Sequence, residues 1–315
     1  MLSSGLRNLW QDLSASARQA LSPRSSAPAT NGRAAMPMPK RFGRYLIDAV
    51  LGRGSMGAVY RAHDPQDDRV VAIKTLAWGG DAEDPATTEA HARFMAELHT
   101  ARRLDHPDIV NLHAAGEEHG VAYLVMEFAP GESLDAHTSA ERLLPAHEVL
   151  HIVARVADAL AYAHRQGVLH RDIKPANIIV HRAMGSVKLT DFGVARLLDA
   201  ARTRSGTLLG TPAFMAPELL VGRSATARSD IYALGVTLFQ LLTGALPHES
   251  SSMAQLMRSI VNVPAPDVRT LRPELGADLA NAVALALERR PELRYADAAA
   301  LAEDLRRIDR ESTPT

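Results

Sequence analysis

The chain has 315 residues, 46% of them hydrophobic and 23% charged, a balance that excludes wholesale disorder and suits one bilobal domain or two domains. With no cysteine, it has no disulfide scaffold, thiolate metal site or thiol catalysis, and it fits a reducing compartment. Its 35 Lys and Arg against 36 Asp and Glu leave a net charge of −1, which offers no basic field for nucleic acid.

Residues 1–41 carry six basic residues against Asp12 alone, a net of +5 that leaves −6 for the remainder. Within them Leu2, Leu6, Leu9, Trp10, Leu13, Ala17 and Leu21 recur at helical spacing. So short a helix frays when unpacked; a docking or membrane-surface helix is the alternative reading. Residues 22–41 are rich in Ser, Pro, Ala and Met without periodicity and read as a flexible linker. The N-terminus lacks the charged start, apolar block and small-residue cleavage site of a secretory signal. No apolar run approaches the roughly 18 residues that span a bilayer; the best, Ile231 to Leu242, is interrupted by Gln240. The expectation is a cytoplasmic protein without an integral membrane segment.

From Tyr45 onward five short β-rich runs follow, separated by Gly, Asp and Pro: Tyr45 to Leu51, Ala58 to Ala62, Val70 to Leu76, Ile109 to Ala114 and Ala122 to Met126. One helix, roughly Ala86 to Leu104, interrupts them with Phe94, Leu98 and Ala101 on one stripe. Beyond Pro130 the pattern turns helical. His147 to Gln166 places Val149, Ile152, Val153, Val156, Leu160 and Ala163 on one face and stops at Gly167. Ser229 is placed to cap an almost wholly apolar helix that runs to Gly244, and further helices are predicted over 274–289 and 295–309. The organisation is a small sheet-rich lobe followed by a larger helical one, an α+β chain without internal repeats.

Gly52-Arg53-Gly54-Ser55-Met56-Gly57-Ala58-Val59 is a GxGxxG pattern, which alone also suits a dinucleotide-binding unit. Such a unit needs a helix directly after the glycines, with its N-terminus on the pyrophosphate. Here Ala58-Val59-Tyr60-Arg61-Ala62 is strand-like, so the glycines form a hairpin whose backbone N–H groups can cover phosphates. Four more motifs follow in order. Val71-Ala72-Ile73-Lys74 is a strand that ends in lysine, and His170-Arg171-Asp172-Ile173-Lys174-Pro175-Ala176-Asn177 follows the Gly167 stop. Asp191-Phe192-Gly193 comes after another short strand, then Ala216-Pro217-Glu218.

With these five motifs, over about residues 42–309, the chain resembles the eukaryotic-like (Hanks-type) serine/threonine protein kinases, bacterial branch. The bacterial likeness lies in Pro175-Ala176-Asn177 and in the Asp105-His106-Pro107 context. The resemblance implies a bilobal protein-kinase fold with a five-stranded antiparallel small lobe (42–126), a mainly α-helical large lobe (130–309) and a C-terminal tail at 310–315. Residue choice adds to it: only four of the 35 cations are lysine, yet Lys74 and Lys174 are two of them, where a compact ammonium is wanted instead of a guanidinium. Lys40 and Lys188 have no such explanation.

The resemblance implies an ATP- and Mg²⁺-dependent transfer to Ser or Thr hydroxyls of protein substrates, in which positioning and charge outweigh covalent chemistry. Lys74 would hold the α- and β-phosphates, oriented by a carboxylate on the small-lobe helix, with Glu97 preferred to Glu89. Asp172 would accept the proton of the attacking hydroxyl and Lys174 neutralise the γ-phosphate. Asn177 and Asp191 would bind Mg²⁺ through hard oxygens. Leu51, Gly52, Arg53, Gly54, Ser55, Met56, Gly57, Ala58, Val59 and Ala72 would enclose the nucleotide, with Met126 as gatekeeper and Glu127 and Ala129 in the segment that reads the adenine edge. Met126 is equally read as ordinary core packing.

Arg171 beside Asp172 implies control by phosphorylation of the activation segment, since arginine binds phosphate bidentately. Thr203, Ser205 and Thr207 are the candidates there, and Thr211 would touch Asp172 and the substrate hydroxyl. Glu218 would pair with Arg294, and Asp230 would hold the backbone near His170. Phe214 stands where such kinases more often have tyrosine. Autophosphorylation in a transient homodimer is a further implication. A pseudokinase scaffold is the alternative, set against the presence of Lys74, Asp172, Asn177 and Asp191. A small-molecule kinase is set against the intact 210–218 stretch.

Overall fold

The computed structural model describes residues 39–54, 57–76, 102–118, 120–192 and 212–312. Its small lobe is one antiparallel sheet of six strands: β1 (Arg41–Phe42), β2 (Tyr45–Gly54), β3 (Gly57–Asp64), β4 (Arg69–Leu76), β5 (Leu112–Glu118) and β6 (Val121–Glu127), in the order β1-β2-β3-β4-β6-β5. The five expected strands are all present, and the two-residue β1 is added to them as an edge. It pairs Arg41 with Leu46 and Phe42 with Tyr45, too short a segment to show an alternating pattern. The expected strand at Ile109 begins instead at Leu112, while Ile109 forms a parallel bridge with Leu189 of the large lobe.

Alternation gives the sheet two apolar faces. Phe42, Tyr45, Tyr60, Ile73, Tyr123 and Val125 pack on one, and Ala72, Leu76, Leu124 and Met126 on the other. The expected helix at 86–104 falls mostly outside the described residues; its last residue, Leu104, is buried in the large-lobe core.

The large lobe contains α1 (Ala146–Arg165), α2 (Pro217–Leu220), α3 (Ala227–Thr243), α4 (Met253–Asn262), α5 (Ala277–Ala286) and α6 (Ala298–Ser312). A small antiparallel sheet joins them: β7 (Glu132–Ser133), β8 (Ile178–His181) and β9 (Ser186–Leu189). The periodic residues Val149, Ile152, Val153, Val156, Leu160 and Ala163 of α1 are all buried, against α3, α6 and β9. Each such aliphatic side chain contributes about 1.5–3 kcal/mol by leaving water.

Helix α3 is buried almost all round, as its composition predicts. Its cap is Thr226, not Ser229. The Thr226 hydroxyl accepts from the Ser229 N–H, and the Ser229 hydroxyl accepts from the Thr226 N–H, so Ser229 is the inner half of a capping box. Gly244 ends the helix at φ +76°. A Cβ there would meet the Ala140 nitrogen at 2.8 Å, so glycine is required by conformation and by space.

The segment before β5 is fastened to the large lobe. Asp105 N–H donates to the Tyr162 hydroxyl at 3.1 Å, and Arg155 of α1 forms an ion pair with Asp108. Val110 N–H donates to Leu189 O at 2.9 Å, and Leu189 N–H to Asp108 O at 2.8 Å.

Candidate active site

The small lobe supplies its part of the cleft from β3, β4 and β6. Cross-strand partners share a face, and the register pairs Val59 with Lys74, Lys74 with Leu124, and Ala72 with Met126. Val59, Lys74, Ala72 and Met126 therefore lie on one side of the sheet. Met126 is only 7% exposed, so it is core as well as cleft wall, whereas Leu51 is 49% exposed. Gly52, Arg53 and Gly54 end β2, and Gly57 and Ala58 open β3. The Lys74 ammonium is 2.7 Å from Asp191 Oδ2, with both side chains largely buried. That contact joins the two lobes' charged residues across the cleft. Ser55, Met56 and Glu97 lie outside the described residues, as do Gly193, Thr203, Ser205, Thr207 and Thr211.

The loop after α1 brings Asp172, Lys174 and Asn177 together. Lys174 Nζ donates to Asp172 Oδ2 at 2.7 Å, and Asn177 Nδ2 donates to Asp172 O at 2.7 Å and to Oδ2 at 3.0 Å. Asn177 thus engages Asp172 through its amide nitrogen, which leaves its oxygen as the acceptor. Arg171 and Asp191 both adopt left-handed backbone conformations, φ +68° and +69°. For side chains of this kind such a conformation is costly and persists only where the surroundings hold it.

For Arg171 the holding group is Asp230 of α3, itself 2% exposed. Its Oδ2 accepts the His170 N–H at 2.9 Å and the His164 Nε2 at 2.8 Å, and its Oδ1 accepts the Arg171 N–H at 2.8 Å. Burial raises the Asp230 pKa, but the hydrogen bond and charge of His164, with His170 and the Arg171 N–H, outweigh it and hold the carboxyl below its ordinary value.

His170 is fully buried, and burial pushes its pKa down. It is neutral, with a defined tautomer: Nδ1 accepts the Asp172 N–H at 3.2 Å, so Nε2–H donates to Thr190 O at 2.8 Å. Its ring meets Phe192 edge-on at 4.6 Å. One imidazole therefore links the backbone of Asp172 to the residue before Asp191.

Below the cleft Arg294 and Glu218 form a bidentate pair, Nη1 to Oε1 at 2.8 Å and Nη2 to Oε2 at 2.7 Å, with side chains 0% and 5% exposed. Ser229 Oγ donates to the same Glu218 Oε1, and Arg294 also donates to the carbonyls of Arg228, Glu288 and Arg289. The pair fixes the turn that presents Phe214 and Met215. These two residues line a depression with Arg171, Asp172, Leu219 and Ala233.

Several contacts around the cleft are not legible in the sequence. Lys188, the unexplained lysine, stands on β9 with Nζ 2.5 Å from Glu127 Oε1, and Glu127 Oε2 accepts the Asn111 N–H at 3.1 Å. The segment between the lobes is thereby pinned from below. The lysine bias was the signal for Lys188; nothing local named its partner. The ion pair of Arg155 with Asp108 and the contact of His164 with Asp230 carried no motif at all.

A buried ammonium–carboxylate pair facing an Asp–Lys–Asn group, beneath a glycine-rich hairpin, defines a phosphoryl-transfer cleft. Residues 45–304 match the family model described as the protein kinase domain, and the chain belongs to that family.

Among curated relatives, the chain is 39% identical over 263 residues to the serine/threonine-protein kinase PknJ of Mycobacterium tuberculosis, covering 82% of this chain and 44% of that protein. It is 37% identical over 265 residues to the serine/threonine-protein kinase PrkC of Bacillus subtilis, covering 84% of this chain and 40% of that one. The chain thus spans less than half the length of these relatives. Among solved structures it is similar to Rad53 residues 1–466 in complex with AMP-PNP, with a TM-score of 0.67 and 26% identity, over 82% of this chain and 64% of that one. No helix among the described residues is long and apolar enough to cross a membrane.

Proposed function

We propose that this chain is an active serine/threonine protein kinase that transfers the γ-phosphoryl group of ATP to hydroxyls of protein substrates. The observation that carries the reading is the convergence of Lys74, Asp191, Asp172, Lys174 and Asn177 on one cleft, paired and hydrogen-bonded as described. The named activities of the bacterial relatives and the nucleotide analogue in the similar structure support it.

In this reading Lys74 orients the α- and β-phosphates, and the backbone of Glu127 and Ala129 meets the adenine edge above Met126. The substrate hydroxyl approaches Asp172, whose Oδ2 is kept in place by Lys174 and Asn177. Asp172 takes the hydroxyl proton as the new P–O bond forms and the bond from the γ-phosphorus to the β-phosphate oxygen breaks, releasing ADP, and Lys174 faces the charge that gathers on the transferred group. Asn177 and Asp191 suit Mg²⁺: both offer hard oxygens at the cleft, and Asn177 has its amide nitrogen committed elsewhere. When bound, Mg²⁺ supplies positive charge that neutralises the phosphate oxygens. The 210–218 stretch favours a peptide over a small molecule, and Arg171 beside Asp172 favours control through Thr203, Ser205 or Thr207 by autophosphorylation between two copies.

The test is a labelled-ATP assay with Mg²⁺ on wild type beside Asp172→Asn, followed by mapping of the phosphorylated residues. Loss of the base should lower kcat by about 10²–10⁴-fold while ATP still binds. A wild type that binds ATP and transfers nothing, with or without added protein substrate, would instead make the chain a scaffold.

A further inference from the structure

The ladder between β3 and β4 runs from Asp64 opposite Arg69 to Val59 opposite Lys74. At the next step, Ala58, β3 is joined to β4 by a side chain. The Thr75 hydroxyl accepts the Ala58 N–H at 2.9 Å and donates to the Ala58 carbonyl at 3.1 Å. Both bonds are buried, and one hydroxyl thus satisfies both polar backbone groups of that residue. Immediately before it, Gly57 sits at φ +140°, where a Cβ would fall 2.0 Å from the Thr75 carbonyl oxygen. Thr75 therefore touches the strand that returns from the glycine-rich hairpin with its hydroxyl and with its backbone. Successive residues of a strand face opposite sides, so Thr75 stands behind the cleft that Lys74 enters, and it acts through the hairpin.

We propose that Thr75 is a positioning residue for the nucleotide phosphates: its hydroxyl, bridging the N–H and C=O of Ala58, holds the glycine-rich hairpin at a fixed height over the cleft beside Lys74. The inference rests on the reading of that cleft as an ATP site. Without the hydroxyl, a buried donor and a buried acceptor lose their partner together, and the strand satisfies them only by lifting toward water. The groups that move are those that cover phosphates. The adenine side of the cleft, formed by Ala72 and Met126 on the far part of β4 and on β6, keeps its ladder.

The experiment compares wild type with Thr75→Val, which keeps the shape and removes the hydroxyl, and Thr75→Ser, which keeps the hydroxyl. Dissociation constants are measured for Mg²⁺-ATP and for adenosine, with KM for ATP, kcat and the thermal midpoint. Thr75→Val should weaken ATP on the order of tenfold, in Kd and in KM, and leave adenosine binding and kcat at saturating ATP nearly unchanged, while Thr75→Ser restores ATP binding. Equal ATP affinity in Thr75→Val and wild type overturns the inference. So does a parallel loss for ATP and adenosine with a lowered thermal midpoint, which marks a general structural role. Hydrogen exchange at the Ala58 amide of wild type gives an answer even if Thr75→Val does not fold, since rapid exchange there removes the bond on which the inference stands. A wild type that binds neither ligand overturns the nucleotide reading itself, and the inference with it.

Discussion

In the large lobe the cleft residues hang from a carboxylate sunk in the most buried helix: Asp230 holds the backbone of His170 and Arg171, and His170 in turn reaches Asp172 and Thr190. In the small lobe Lys74 stands on a sheet strand between two modest apolar clusters, and the hairpin above it is joined to that strand by one threonine hydroxyl. The difference teaches where rigidity is placed. The groups assigned to the reacting hydroxyl in the proposed reading are over-determined, with buried charge and several hydrogen bonds. The groups assigned to the nucleotide in that reading rest on a thin layer and a few bonds.

The sharpest way to break this contrast is Arg294→Ala, which strands Glu218 in the interior. It should cost about 3–5 kcal/mol of large-lobe stability, read as a lowered urea midpoint. A change below about 1 kcal/mol, the value of an exposed pair, would show that the base of the large lobe is not held by charge.

Asp230→Asn probes the same base nearer the cleft. One of the two backbone N–H groups then faces an amide NH₂ in place of an oxygen, at a cost of about 1.5–3 kcal/mol. Steady-state kinetics should show kcat down by about 10- to 100-fold with KM for ATP within about twofold. If KM for ATP rises instead, the catalytic loop and the nucleotide hairpin are not separately supported.

A smaller effect follows from acid. Burial pushes the imidazoles of His113, His170 and His248 below their ordinary value of 6.5. The folded chain therefore binds fewer protons than the unfolded chain below that pH, and stability is lost as pH falls through the window beneath 6.5. Asp230 and Glu218, both depressed, release their own contribution only below 3.8 and 4.5, so the range from pH 6.5 to about 5 reports on the histidines. The urea midpoint should drop between pH 7.5 and 5.5. An unchanged midpoint would mean that these rings are accessible to protons in the folded state.

Sequence reading reached the elements whose signals are local. The strands from Tyr45 to Leu76 alternate between turn residues, and α1 repeats its apolar positions over five turns' worth of chain. The short β1 and the helix α4, set among serines at 250–252, offer too few periods to be read. The ordered motifs exposed Lys74, Asp172, Lys174, Asn177 and Asp191, and also the pairing of Glu218 with Arg294. What remained hidden was contact between distant residues: Arg155 with Asp108, Lys188 with Glu127, Thr75 with Ala58. Each depends on where two elements cross, and a linear pattern does not encode a crossing. The cap of α3 was misread for a related reason, because Thr226 and Ser229 each fit a helix start and only their reciprocal bonds show which is outermost.

The bridge between Ile109 and Leu189 has a mechanical consequence. The segment that enters the small lobe and the segment that leads to Asp191 are stitched together there by two backbone hydrogen bonds, so both lobes share one fixed joint beside the cleft. Glu127, bonded to the Asn111 N–H and to Lys188, ties the end of β6 to the same joint. In the proposed reading, the segment that meets the adenine is thereby anchored to β9, the same strand that leads to Asp191.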